Sequence, residues 1–395
     1  MTRPLAGVTV LDFGQIFQGS YATLLMAKAG ANVIKIEPPG GEPLRKRTPP
    51  GAKGTMSFAM LNANKRAVTL NLKTQRGREL LFEMVKRADV LLENFAPGAM
   101  DKLGVGWSVL HDINPRLIYC TASGYGISGP RSGDLAMDLV VQASSGLMSV
   151  TGEAGGPPMR AGVTVADFSG GIHAYGAIMT ALFERERSGE GRLVETAMLE
   201  AMYFPLAGPI DSYTRRGTVP ERSGNGGNGS IAPYGVFPVK DGYVAIHTGT
   251  DGHWLKLLDV MGRGEMKDDP GLATMHGRAQ REQEVSDMVS AWTAGLTKAE
   301  AEAIARANKI PLSAVRDVAE VMMCEHMHGR GTLEWVDHPD LGRVVLPNSP
   351  LRLHGLETAP PVPSALVGAH NDEVYGGWLG LSAAELETLR AEKAI

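Results

Sequence analysis

Short apolar runs rich in β-branched residues alternate with stretches of helical period through the first half of the chain. Val8–Leu11 reads as a buried strand, Gly14–Ser20 as a loop, and Tyr21–Ala29 as a helix that stops near Gly30. Asn32–Ile36 is a second predicted strand, closed by Pro38, Pro39, Gly40 and Gly41. The pattern repeats with a strand over Val68–Leu72, a helix from an N-cap at Thr74 to about Arg87, and strands over Asp89–Leu92 and Leu117–Thr121. Val163–Ala166 reads as a further short strand, leading into Asp167 and a helix from Ile172 to Arg187. Gly170, Gly171, Ala174, Gly176, Ala177 and Ala181 make that helix small-sided, so it can approach another backbone closely. The alternation predicts an α/β fold: a large, Rossmann-like domain with a parallel sheet and helices on both faces. Ligands of such sheets sit beyond the carboxyl ends of the strands, so chemistry is sought in the loops there.

The second half reads differently. Tyr234–Phe237 and Gly242–His247 pattern as a hairpin around Lys240 and Asp241, with helical stretches after it. A smaller α/β domain is expected over 229–317, joined to the large domain (1–205) by a linker over 206–228. A second linker covers 318–340, and a C-terminal segment covers 341–395. Thr358–Pro363 is Pro-rich and extended.

Composition narrows the function. The 395 residues suit two lobes, and a net charge of -4 with interspersed signs carries no nucleic-acid footprint. Two cysteines make no disulfide framework and no zinc pair, which fits a reducing cytoplasm. No signal-peptide apolar region opens the chain, and no apolar run reaches the roughly 20 residues of a membrane span. The ten histidines show no metal-ligand spacing. GxSxG and the P-loop pattern are absent, and the Gly14–Ser20 loop after the first strand lacks the GxGxxG fingerprint, which argues against a hydrolase, a P-loop NTPase and an NAD enzyme.

Two carboxylates stand out. Asp167, between a predicted strand and a helix entry, lies near the positive end of the helix dipole, which keeps it ionised near neutral pH. It reads either as a plain N-cap or as a nucleophile, with the following glycines offering backbone N–H groups to an oxyanion. Asp138 opens an apolar helix and reads as a second cap, or as the partner of a coupled carboxylate pair. Gly224–Ser230 is glycine-rich enough for a moving lid or a linker. Lys65, Arg66, Lys73, Lys102 and Arg45–Arg47 are candidate phosphate contacts.

Several segments, in this order, carry a resemblance: Pro4–Asp12, Gly30–Pro38, Asn64–Arg66, Ala88–Phe95, Asn114–Tyr119, Ser123–Gly126, Gln142–Met148, Val165–Phe168, Gly189–Arg192, Ile310–Leu312 and Val367–Asn371. Together they resemble the family III CoA-transferases over nearly the whole chain. The resemblance implies an enzyme that moves coenzyme A from an acyl-CoA to a carboxylic acid, with no tightly bound cofactor and no metal. It implies Asp167 as the residue that forms aspartyl anhydride and aspartyl-CoA intermediates, with Asp138 beside it. Phe17, Gln18, Leu70, Asn71, Leu72, Lys73, Asn94, Phe95, Ala96, Lys102 and Met137 match CoA-contact positions. Gly226, Gly227, Asn228 and Gly229 match the loop that covers the intermediate. It further implies an interlocked homodimer of ring-shaped chains, with the C-terminal segment returning to the large domain.

Some positions depart from the family. Pro38 stands where some members stack an Arg on adenine. Phe17 replaces the Gln of formyl-CoA transferases, and Asn228 interrupts their four-glycine run, which argues against formyl-CoA and oxalate. Met137 replaces the His of alpha-methylacyl-CoA racemases. A racemase of 2-methylacyl-CoA is therefore the second reading, because it needs another acid–base group.

Overall fold

Strands covered on both faces need near-continuous apolar sequence, and the central strands approach it, with Val10, Leu11, Val33, Ile34, Val90, Leu91, Leu92 and Ile118 all buried. The computed structural model describes residues 3–48, 50–227, 229–356 and 359–395. Thr9–Asp12 (β1), Asn32–Glu37 (β2), Arg66–Thr69 (β3), Val90–Glu93 (β4), Ile118–Ser123 (β5) and Leu193–Ala197 (β6) form a six-stranded sheet in the order β3-β2-β1-β4-β5-β6. Every neighbouring pair is parallel. Helices Gln18–Lys28 (α1), Gln75–Val85 (α2), Asp138–Ser144 (α3) and Val165–Ser188 (α4) lie between the strands in sequence.

The period of two sorts the strand residues into two cores. Leu11, Ile34, Leu91 and Tyr119 pack with Leu80, Leu81 and Met84 of α2. Val10, Val33, Val90 and Ile118 pack on the other face with Ala22 and Met26 of α1 and Ala174 and Ile178 of α4. The small side of α4 meets α1. A Cβ on Gly171 would stand 2.7 Å from the carbonyl oxygen of Gln18, and one on Gly170 would stand 2.6 Å from its side-chain amide nitrogen. That close approach holds α4 against the first residue of α1.

Strand order reverses between β1 and β4, with β2 and β3 to one side and β5 and β6 to the other. A crevice opens beyond the carboxyl ends at such a switch point. One sequence expectation fails here: Val163–Ala166 is no strand, because α4 begins at Val165.

The described residues divide into two units. The first takes in Met1–Ser145, Gly162–Leu206 and Cys324–Ile395; the second takes in Gly146–Ala161 and Ala207–Met323. In the second unit, Ala207–Arg216 is helical. Tyr234–Val239 (β7) and Gly242–His247 (β8) form an antiparallel hairpin, and Leu312–Ala314 (β9) pairs antiparallel with β8. Phe237, Val244, Ile246, Trp254 and Leu257 fill that unit's core. Its helices include Glu282–Thr293 (α5) and Lys298–Asn308 (α6), the latter opened by a capping box of Thr297 and Glu300.

The chain's last part adds the hairpin Leu333–His338 (β10) and Gly342–Pro347 (β11) to the first unit. It also closes the outer edge of the large sheet. The Ala67 N–H donates to His370 Nδ1 at 3.0 Å, and the Thr69 N–H to Asn371 Oδ1 at 2.9 Å. Unpaired groups of edge strand β3 are thereby satisfied.

Candidate active site

A helix leaves its first N–H groups without internal partners, and a cap must supply acceptors. At α4 the cap comes from elsewhere in the chain. Asp138, the buried first residue of α3, accepts the Ala166 N–H at 2.7 Å and the Asp167 N–H at 3.1 Å through Oδ1. Its Oδ2 accepts from Gln142 Nε2 at 2.5 Å, and the same amide reaches the Val163 carbonyl at 3.2 Å. Asp138 therefore does the capping for α4, and the carboxyl group of Asp167 is left free of that duty. Between the two sequence readings of Asp167, this geometry removes the plain cap.

The charge state of Asp167 corrects the sequence expectation. Its pKa is pushed from 3.8 up to about 7, first by burial and then by the negative charge of Asp138, against the opposing charge of Arg47. Desolvation and a second carboxylate outweigh the helix dipole. Gly170 and Gly171 lie inside α4, where their N–H groups belong to the helical ladder and not to an open oxyanion site.

Asp167 and Asp138 share a cavity of about 270 Å³ beyond the carboxyl ends of β1, β4 and β5. Of the expected CoA contacts, Gln18, Asn94, Phe95, Ala96 and Met137 line it. The others do not. Phe17 packs on Phe168 with ring centroids 5.9 Å apart. Leu70 and Leu72 are buried in a core, and Asn71 Nδ2 bonds the Lys393 carbonyl at 3.0 Å. Lys73 and Lys102 are exposed outside the cavity lining. Gly226, Gly227 and Gly229 belong to the second unit, and Asn228 lies outside the described residues.

One wall of the cavity is a loop that sequence reasoning left unexplained. Gln15 and Ile16 line the cavity. Ile16 sits at φ 60, a conformation a β-branched residue adopts only under constraint. The constraint is a set of polar side chains. Asn94 Oδ1 accepts the Gln15 N–H at 2.6 Å, while its Nδ2 donates to the Gln15 carbonyl at 2.9 Å. Glu42 accepts the Ile16 N–H at 3.1 Å, Asp12 accepts the Gly14 N–H at 2.8 Å, and Lys35 donates to the Gly14 carbonyl. Asp12 and Lys35 are buried charges on β1 and β2, and a charged residue set among Val10, Leu11, Ile34 and Ile36 was the available signal.

Two candidate phosphate contacts are corrected. Lys65 is buried, donating to Asp12 at 2.9 Å and Thr23 at 2.8 Å, so it braces the loop from behind. Arg45 is committed to Glu37 at 2.7 Å and stacks 3.8 Å over Phe58. Among the described residues, no group of three or more His, Cys, Asp or Glu could hold a metal, and no helix is long and apolar enough to cross a membrane.

The shifted acid predicts a pH dependence. Only ionised Asp167 attacks a carbonyl, so the rate of CoA release from an acyl-CoA is expected to rise roughly tenfold per pH unit up to about 7 and then level. Arg47 lowers that pKa, so Arg47→Gln is expected to move the limb to higher pH. Single-turnover release across pH 4–9 checks both. A limb near the ordinary carboxylate value would contradict them.

The model of CoA-transferase family III matches residues 5–371. The formyl-CoA:oxalate CoA-transferase of Streptomyces avermitilis is 36% identical over 416 residues, covering 100% of both chains. The succinyl-CoA–D-citramalate CoA-transferase of Chloroflexus aurantiacus is 32% identical over 396 residues, covering 100% of this chain and 98% of the relative. Among solved structures, a CAIB/BAIF family protein from Brucella suis superposes with a TM-score of 0.84 at 31% identity, covering 95% of this chain and 100% of that one.

Proposed function

The chain belongs to CoA-transferase family III, an enzyme moving coenzyme A between an acyl-CoA and an acid, and on that premise we propose that Asp167 carries the acyl group and the CoA in turn. The observation that supports this most is a half-buried carboxyl raised to about 7 beside a second carboxylate, in a cavity at the sheet's switch point.

An ionised Asp167 oxygen attacks the donor thioester carbon. The C–S bond breaks, leaving a mixed anhydride and CoA thiolate. The thiolate attacks the Asp167 carbonyl carbon, the anhydride C–O bond breaks, and the donor acid leaves as its carboxylate. The acceptor carboxylate then attacks the aspartyl-CoA thioester, the C–S bond breaks to give a second mixed anhydride and CoA thiolate, and thiolate attack on the acceptor's carbonyl carbon breaks that anhydride and returns Asp167 to its free form. No proton is gained or lost overall, so the cycle needs no acid–base histidine. The same burial and the Asp138 charge that raise the pKa of Asp167 favour its uncharged, acylated forms.

Gln18, Asn94, Phe95, Ala96 and Met137 are the proposed CoA contacts within the cavity, with Phe17, Leu70, Asn71, Leu72, Lys73 and Lys102 as contacts beyond it. The glycine stretch is proposed to keep water from the anhydride. Oxalate and D-citramalate, named for the two relatives, each carry two carboxylates, and a dicarboxylic acceptor is the corresponding proposal here. The reading also carries the interlocked homodimer. Leu135, Val163, Phe183 and Phe204 stand exposed in the unit that holds Asp167, apolar surface suited to a second copy. A sedimentation mass of two chains checks it.

Assaying a panel of CoA esters against mono- and dicarboxylates in deuterated water tests the reaction. CoA transfer that depends on the acid, with no deuterium at the α-carbon of the ester, is expected. Deuterium uptake without any acceptor acid would instead mark a racemase.

A further inference from the structure

Glu93 ends β4 at only 6% exposure, and among the described residues no Lys, Arg or His forms an ion pair with it. Its Oε2 accepts the Phe95 N–H at 2.8 Å, a neutral partner. A carboxylate so buried is as a rule paired with a cation. Burial lifts the pKa of Glu93, against the Thr121 hydroxyl and the Phe95 N–H, and the negative charge of Asp101 lifts it further. Tyr119, on the neighbouring strand β5, is 3% exposed, and its hydroxyl has no hydrogen-bond partner among the described residues. Burial raises the pKa of that hydroxyl, and the charges of Glu93 and Asp101 add to the rise, so the three groups lie in one another's field. Gly106 leaves the room that Asp101 needs: a Cβ there would stand 1.8 Å from Asp101 Oδ1.

Glu93, Asp101 and Tyr119 all line one cavity of about 360 Å³, wholly within the unit that holds Asp167. Its lining contains no Lys, Arg or His. It shares Phe95, Ala96 and Pro97 with the catalytic cavity, but neither Asp167 nor Asp138 lines it. Much of the remaining wall is carbon, from Met100, Trp107, Ile127 and Leu193. Trp107 stands edge-on to Tyr119, with ring centroids 6.2 Å apart.

We propose that this cavity binds a primary ammonium group carried on a short apolar chain. Such a head brings one positive charge and three N–H donors, and the two carboxylates and the Tyr119 oxygen offer an acceptor for each. The charge answers the unpaired Glu93 through charge-assisted hydrogen bonds, while Trp107 supplies an aromatic ring for the cation and a wall for the chain. A quaternary ammonium has no N–H to give, so it would leave those oxygens unbonded. A hard metal ion wants six or so oxygen ligands, and among the described residues no group of three or more His, Cys, Asp or Glu could hold one. Glu93, Asp101 and Tyr119 take no part in the acyl chemistry, so the site stands independently of the transfer reading.

The full chain is titrated with n-butylammonium chloride by calorimetry at constant ionic strength. Saturable binding is expected, weakened at least about tenfold in Glu93→Gln and about three- to tenfold in Tyr119→Phe. Tyr119→Phe removes a single oxygen and keeps the ring, so it carries the test if Glu93→Gln does not fold. Tetramethylammonium chloride, potassium chloride and n-butanol are run in parallel, and each is expected to bind at least about tenfold more weakly than butylammonium. Tetramethylammonium binding as tightly overturns the role of the N–H donors. Potassium binding as tightly makes the site one for a bare cation, and butanol binding as tightly makes it an apolar hollow; either overturns the proposal. So does a wild type that shows no saturation, or an affinity left unchanged in a folded variant.

Discussion

Asp167→Ala is expected to abolish CoA transfer, lowering kcat by about 10⁴-fold or more, because it removes the carboxylate proposed to carry the acyl chain. The fold is expected to survive, since the cap on α4 comes from Asp138 and not from Asp167. Stability is expected to rise at pH 8. The folded state raises the pKa of Asp167 from 3.8 to about 7. Such a group favours the folded state most below its unfolded pKa, and that contribution is lost as pH rises through the folded one. Above pH 7 the wild type holds an unfavourable charge that the variant lacks. The gain is about 1–3 kcal/mol, less than the full shift implies because the side chain is part-exposed. It vanishes below about pH 4. Thermal unfolding at pH 8 and pH 4 checks the sign. An inactive variant that is also unfolded would show that Asp167 is structural.

Asp138 gives the second large effect, and two substitutions separate its two duties. Asp138→Asn keeps an oxygen able to accept the Ala166 and Asp167 N–H groups, but it removes the negative charge beside Asp167. The pKa of Asp167 is then expected to fall, moving the pH limb downward, at a stability cost of about 1 kcal/mol because the new NH2 cannot accept from Gln142 Nε2. Transfer at pH 8 is expected to drop about 10–100-fold, since a less basic carboxylate is a weaker nucleophile. Asp138→Ala leaves two N–H donors without an acceptor and costs about 1–3 kcal/mol of stability, with a larger loss of transfer. Paired pH profiles and melting curves distinguish the two. A limb that stays put in Asp138→Asn would mean that the two carboxylates do not sense each other.

Much of the sheet was legible because its strands are buried on both faces. Asn32–Ile36 and Asp89–Leu92 lie within a residue of the observed strands, and Thr74 does cap α2, accepting the Gly77 N–H at 3.0 Å. The hairpin at Lys240 and Asp241 followed from its turn residues. Family membership was legible from many short segments in order, where no single motif sufficed.

What local pattern missed came from contacts between distant segments. Val163, Thr164 and Val165 read as a strand by propensity, yet Asp138 caps a helix that starts at Val165, from 28 and 29 positions away. Lys65 read as a candidate phosphate contact because nothing nearby in sequence announces Asp12 as its partner. The charge of Asp167 was misjudged for the same reason: the dipole of its own helix is local, whereas its burial and the nearness of Asp138 are tertiary. The side chains of Leu70 and Leu72 lie in the core, so the contacts proposed there fall to their backbone.

Covalent capture tests the central claim most directly. The protein is incubated with a donor acyl-CoA and hydroxylamine, digested, and its peptides are weighed. Hydroxylamine attacks the activated carbonyl of an aspartyl thioester or anhydride, so a hydroxamate is expected on Asp167, dependent on the acyl-CoA and absent in Asp167→Ala. A hydroxamate on any other residue, or none while CoA transfer proceeds, would contradict the assignment.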